Sequence, residues 1–242
     1  LTEATFAPAA VPASAANLVI AEIMYHPPDP TLAEEAADFD NADEFEFVRL
    51  MNIGAVPVDL TGVRFTDGIL FDFTSGARRY LNPGASVLVV VNLAAFQARY
   101  GHVCDDLIAG MYAGRLANSG ERLLLVDARN STIRDFAYSD DPPWPLAPDG
   151  DGPSLVLIDP ASNPDHANPG NWAPSVMPGG MPSGTVTPQS YARWRELYWA
   201  PAAATNDVLS GPAADYDADG LANFVEYAFG LDPRRASFLP AP

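Results

Sequence analysis

The residues with the clearest chemistry lie between 215 and 226. Asp215, Asp217 and Asp219 are spaced by two, Gly220 follows, and Leu221, Asn223 and Glu226 complete the run. These are the oxygen-bearing positions 1, 3, 5, 7, 9 and 12 of a calcium loop, with glycine at the sharp turn of position 6. Calcium takes about six to eight oxygen ligands at roughly 2.3–2.6 Å. The three Asp side chains, the Leu221 carbonyl, Asn223 and a bidentate Glu226 form a set that can wrap one Ca2+. The same residues also suit an acidic turn capping the next helix, since Asp is a good N-cap. Agreement at every ligand position favours the cation.

The elements that must hold this loop differ from those of a regular EF-hand. The segment 202–212 is too rich in Ser, Gly and Pro for an entering helix. A helix is expected after the loop, from about Leu221 to Phe229, with Phe224, Ala228 and Leu231 on one face. Gly230 reads as its C′ residue and Pro233 as the stop. Upstream, Thr187 and Pro188 have the types of an N-cap and a first helical residue. Tyr191, Trp194 and Tyr198 then fall on one face of a helix ending near Trp199, a stripe that must bury itself on the calcium-loop helix or on the main domain. Residues 211–233 resemble the thrombospondin type 3-like calcium motif. That resemblance implies a stalk or linker stiffened by calcium, not a calcium sensor.

Composition narrows the function classes. The chain has 242 residues, 13 Lys plus Arg, 31 Asp plus Glu and a net charge of −18. Such a surface repels phosphate backbones, and no basic stripe is present, so nucleic acid is not an expected partner. No apolar run approaches the ~18 residues of a membrane span. Cys104 is the single cysteine; with Asp105 and Asp106 beside it, it reads as a buried or idle thiol. The chain begins at Leu1 without Met, which reads as a processed product or an excised piece. Enzyme signatures are missing: no nucleophile elbow, no HExxH, no P-loop and no dinucleotide fingerprint. His26, His102 and His166 are scattered. Paired carboxylates carry no signal in a chain this acidic. The expectation is a protein that is not an enzyme.

Most of the chain reads as β-structure. Residues 1–16 are Ala- and Pro-rich, an arm or linker. Strands are expected at 18–24, at 44–50, where Phe45, Phe47 and Arg49 alternate with Glu44, Glu46 and Val48, and at 63–67 and 69–73. Others follow at 86–91, 120–127, 132–138 and, last, 154–158. One short helix is expected at 93–100, with Gly101 as its C′ residue. Glu22 lies mid-strand and either faces solvent or pairs with Arg49 or Arg64. About eight short strands separated by turn signals define an all-β class, a β-sandwich. The runs 19–28, 44–54, 58–68, 81–84, 116–125 and 149–160 resemble, in order, the lamin tail domain of large extracellular bacterial proteins. The resemblance spans residues 17–178 and implies an immunoglobulin-like sandwich without a catalytic set. The expected organisation is an arm at 1–16, the sandwich at 17–178, a linker at 179–188 and a helical calcium-loop appendage at 189–242.

Two further sites merit a place. Asp29, Glu34, Glu35, Asp38, Asp40, Asp43 and Glu44 form an acidic insertion that either holds a second calcium ion or is simply a solvated charged loop. Trp144 and Trp172 sit in loop-like sequence and either stack on a glycan or pin the tail to the sandwich. The functional expectation is a non-catalytic structural or adhesion module, extracellular or at the cell surface, whose C-terminal segment is stiffened by calcium. Its partners would be a larger secreted assembly or another copy of itself, by strand donation at a sheet edge. The alternative is a glycan-binding accessory module of a secreted enzyme.

Overall fold

The apolar runs become strands of three sheets in a computed structural model that describes residues 9–150, 152–182, 191–229, 231 and 233–236. The largest sheet has the order β13 (Trp172–Pro174), β12 (Leu155–Leu157), β2 (Leu18–Met24), β3 (Phe47–Asn52), β8 (Ser86–Val90) and β9 (Ile108–Met111). Its neighbours are antiparallel except β8 and β9. A second sheet runs β11 (Thr132–Ala137), β10 (Arg122–Val126), β5 (Arg64–Asp67) and β6 (Phe71–Asp72). A third is small: β1 (Val11–Pro12), β4 (Val58–Asp59) and β7 (Tyr80–Leu81), with β1 parallel to β4.

The main core lies between the first two sheets. Ile20, Val48, Leu50, Val87 and Val89 meet Phe65, Leu123, Leu125, Ile133 and Phe136 there. The period of two sends Leu88 and Val90 to the opposite face. That face is covered in turn by α2 (Leu93–Tyr100), through Phe96, with Phe47, Met24 and Cys104 beside it. The central strands β2 and β3 are therefore buried on both faces, which overrides the one-sided alternation expected at 44–50. α1 (Leu32–Glu35) is a single turn within the acidic insertion.

Two boundaries differ from the sequence reading. Residues 11–13 are not linker. Val11 N–H donates to the Pro57 carbonyl at 2.9 Å, Ala13 N–H donates to Asp59 at 3.2 Å, and Ala13 is buried. Nor is 154–158 the last strand. β13, hidden in a Pro- and Asn-rich stretch, pairs with β12 and extends the six-stranded sheet. Residues 1–8, 183–190 and Gly230 lie outside the described residues, and with them the expected helix start at Thr187 and Pro188 and the C′ role of Gly230.

A bulge sets the polar centre of the large sheet. Ile20 pairs with Leu50 and Glu22 with Arg49, so Ala21 is skipped in the ladder. A regular ladder would put Ala21 across from Arg49. With the bulge, the Glu22 carboxylate meets the Arg49 guanidinium at 2.8 Å, both at most 1% exposed. The other Glu22 oxygen accepts from Ser154 Oγ at 2.6 Å and from the Met181 N–H at 2.8 Å. Gly180 passes directly over this group at φ +77°, where an added Cβ would lie 2.6 Å from Glu22 Oε1. Of the alternatives for Glu22, the structure selects Arg49. Arg64 is occupied with Gly62 and Asn130.

Glu46 is a second buried acid. It has no exposed surface, and its Oε2 accepts from the Tyr112 hydroxyl at 2.7 Å and the Leu116 N–H at 2.9 Å. Burial pushes its pKa up to about 8, against the pull of those two donors.

Breaking the buried pair by Glu22→Ala should cost about 3–5 kcal/mol in denaturant unfolding. Gly180→Ala should cost about 1–3 kcal/mol through its backbone conformation and the close approach. For Glu46 the folded state holds a proton that the unfolded chain loses in the ordinary carboxylate range. Its contribution is therefore full at low pH and is lost as pH rises through about 8. Urea unfolding across pH 4.5–9 should show the wild type losing stability relative to Glu46→Gln as pH rises, and a flat difference would refute this.

Candidate metal centre

Beyond the sandwich, aromatic side chains assemble a separate small core. α3 (Tyr191–Tyr198) leads through α4 (Pro201–Ala204) and α5 (Asp207–Ser210) to the acidic loop and then α6 (Asn223–Phe229). Segment 202–212, expected to lack helix, thus contains two single turns. The Asn206 side chain caps the second, accepting from Val208 N–H at 3.0 Å. Trp194 is 1% exposed and forms a cluster with Trp199 and Ala204. The stripe of α3 meets the helix after the loop. Tyr191 lies 5.5 Å from Phe224 and 5.3 Å from Tyr227, and Trp194 lies 5.9 Å from Tyr227, centroid to centroid. Tyr216, inside the acidic loop, stands edge-on to Trp199 at 5.6 Å.

The loop is folded by its own aspartates. Asp219 N–H donates to Asp215 Oδ1 and to Asp217 Oδ1, both at 3.2 Å. Gly220 N–H donates to Asp215 Oδ2 at 3.0 Å, and Leu221 N–H to Asp219 Oδ1 at 2.7 Å. Ala218 and Gly220 both take positive φ, +63° and +96°, which turns the chain back on itself. One carboxylate oxygen from each of Asp215, Asp217 and Asp219 lies within 4.8 Å of the others, the one such cluster among the described residues. The carboxyl of Asp217 is held above its ordinary value, by loss of water first and also by the charges of Asp219 and Asp215. One of its oxygens, Oδ2, is buried without a hydrogen-bond partner.

The helix after the loop turns inward the face that carries ligand types. Asn223 and Glu226 have no exposed surface, whereas Phe224 is 51% exposed and Ala228 is also exposed. The expected apolar face of Phe224, Ala228 and Leu231 is thus not the buried one. Asn223 Nδ2 donates to the carbonyls of Leu209 at 3.0 Å and Gly211 at 3.2 Å, which ties the entering segment down. Its Oδ1 is buried with no hydrogen-bond partner. Leu221 is half-buried immediately after the Gly220 turn. The donor set is all oxygen and carboxylate-rich, the chemistry of a hard divalent cation.

The other sequence candidates separate. In the acidic insertion, Glu34 closes a capping box with Thr31 and pairs with Arg99 at 2.9 Å. The hydrogen bonds from Arg99 hold its carboxyl down at about 2. Glu44 accepts from Asn92 at 3.1 Å. These acids anchor the insertion to α2, and no cluster there has metal-binding spacing among the described residues. Trp144 and Trp172 are 6% and 3% exposed. Trp172 stacks on Phe136 at 5.6 Å, donates its indole N–H to the His166 carbonyl at 2.9 Å and lies 6.2 Å from Trp144. Neither offers a free face to a sugar, so their assignment as glycan contacts is corrected. Composition could not reveal this, because Phe136 and Trp144, which pack on Trp172, are distant in the chain.

Residues 11–140, more than half of the chain, match the Lamin Tail Domain family. The chain belongs to that family. Lamin tail domains are immunoglobulin-like and non-catalytic, and the sandwich has that all-β architecture with a small helical C-terminal part. The matched part of this lamin tail domain covers β1 to β11, while β12, β13 and the whole acidic loop lie beyond it. No curated protein and no solved structure matches the chain. No helix among the described residues is long and apolar enough to cross a membrane.

Trp172→Ala should cost the sandwich about 3–5 kcal/mol in denaturant unfolding. It should leave migration through glycan-containing gels unchanged. Lost retention at unchanged stability would restore a sugar-binding role.

Proposed function

We propose that this lamin tail domain is a non-catalytic structural module of a larger extracellular or cell-surface protein, and that one calcium ion stiffens its C-terminal unit. The observation that carries the reading is the convergence of Asp215, Asp217 and Asp219 within 4.8 Å, beside a helix that buries Asn223 and Glu226. Three carboxylates held this close repel one another, and a divalent cation offsets that cost. Asp215, Asp217 and Asp219 would supply the first ligands, Leu221 its carbonyl, Asn223 its Oδ1 and Glu226 both carboxylate oxygens. The ion's contribution is charge neutralisation and a fixed loop, with no reaction.

The extracellular reading rests on chemistry. Loops of this ligand type in extracellular modules bind at about 10⁻⁴–10⁻³ M, so millimolar calcium outside a cell would fill them. The strongly acidic surface suits a medium rich in divalent ions. The partner is the rest of the parent assembly, for which the sandwich acts as a spacer or adhesive unit. The glycan-binding alternative loses its support with the burial of Trp144 and Trp172.

Calorimetric titration should give one calcium site in the full chain and none in Asp217→Ala or Glu226→Ala. At a hundredfold excess over Kd, calcium should stabilise the C-terminal unit by about 2.7 kcal/mol, leaving sandwich unfolding almost unmoved. Absence of binding at millimolar calcium would overturn the reading.

A further inference from the structure

α6 presents two surfaces within seven residues. Its first turn carries Asn223 and Glu226, the loop side. Its last turn faces the sandwich. There the Phe229 carbonyl accepts a hydrogen bond from the Leu146 N–H at 3.0 Å. Tyr227, Ala228 and Phe229 line one side of a groove of about 270 Å³, opposite Pro143, Ile158 and Trp172 of the sandwich. Trp172 belongs to β13, an outer strand of the six-stranded sheet. Tyr227 joins both surfaces, since its ring also meets Tyr191 and Trp194 of α3.

We propose that calcium in the acidic loop controls the docking of α6 onto the β13 edge of the sandwich. This inference rests on the calcium reading above and adds a regulated contact to it. A helix of seven residues does not hold itself together in water, and its order must come from tertiary contacts. Among the described residues the docking contact is one interunit backbone hydrogen bond and a partly filled groove, which is weak alone. The loop supplies the other anchor. With the ion bound, Glu226 fixes the turn that carries Tyr227, Ala228 and Phe229, and the last turn seats on Leu146. With the ion removed, the first turn frays, the last turn leaves, and the groove beside β13 opens. The loop therefore sets the angle between the sandwich and whatever follows it in the chain, rigid in calcium and hinged without it.

The test is amide hydrogen exchange at Leu146 in the full chain, in saturating calcium and in chelator, with calorimetry on the same samples. Exchange at Leu146 should be at least tenfold faster in chelator, while amides of β3 and β8 stay unchanged. Ala228→Arg, which crowds the groove away from the ligands, should still bind calcium and should exchange fast at Leu146 in both conditions. Calcium bound by calorimetry but equal Leu146 protection with and without it would overturn the coupling and leave the calcium reading standing. Slow exchange at Leu146 in Ala228→Arg would overturn the docking contact. No calcium bound at all would overturn both.

Discussion

The buried pairing of Glu22 with Arg49 is the constraint around which the sandwich is arranged. Two ionised groups with almost no exposed surface demand partners in fixed places. The bulge at Ala21 brings them opposite each other. Ser154, at the start of β12, and the backbone at Met181 fill the remaining acceptor positions. The returning segment can approach only because residue 180 is glycine. One carboxylate thus fixes the register of two central strands, the docking of a third and the path of the chain as it leaves the sandwich. An apolar pair of equal volume would pack as well, but would not specify which backbone passes above it.

The C-terminal unit is organised by different physics. Its core is a knot of indole and phenol rings, small in volume and rich in edge-to-face contacts. The acidic loop is threaded into that knot through Tyr216, and α6 through Tyr227. Aromatic packing and loop geometry therefore support one another. Loosening either removes a wall of the other, so the three clustered acids, Asp215, Asp217 and Asp219, and the aromatic core stand or fall together.

What could be read in the sequence was what is encoded locally. The convergence of Asp215, Asp217 and Asp219 and the helix at 93–100 with Gly101 after it are set by residues a few positions apart. Glu22 was legible only as a choice among partners, because a bulge at an alanine leaves no compositional mark. Glu46 gave no sign of burial, since its two donors, Tyr112 and Leu116, are 66 and 70 residues away. β13 escaped notice because its three residues, Trp172, Ala173 and Pro174, sit among turn formers, and only pairing with β12 makes them a strand. The inward face of α6 ran against hydrophobic patterning: Phe224 points out while Asn223 and Glu226 point in. A helix that buries its polar side departs from the hydrophobic pattern that sequence reading relies on.

β1 has a consequence for the borders of the sheets. It forms the outer strand of the three-stranded sheet, and its second residue is Pro12. β13, on the outside of the large sheet, ends in Pro174. A proline offers no N–H to a newcomer, so each of these margins breaks the ladder that another chain would need to continue. β1 itself closes a border of its own sheet by pairing with β4. A strand added at either of these two margins would meet a proline in place of an N–H, so sheet growth is disfavoured there.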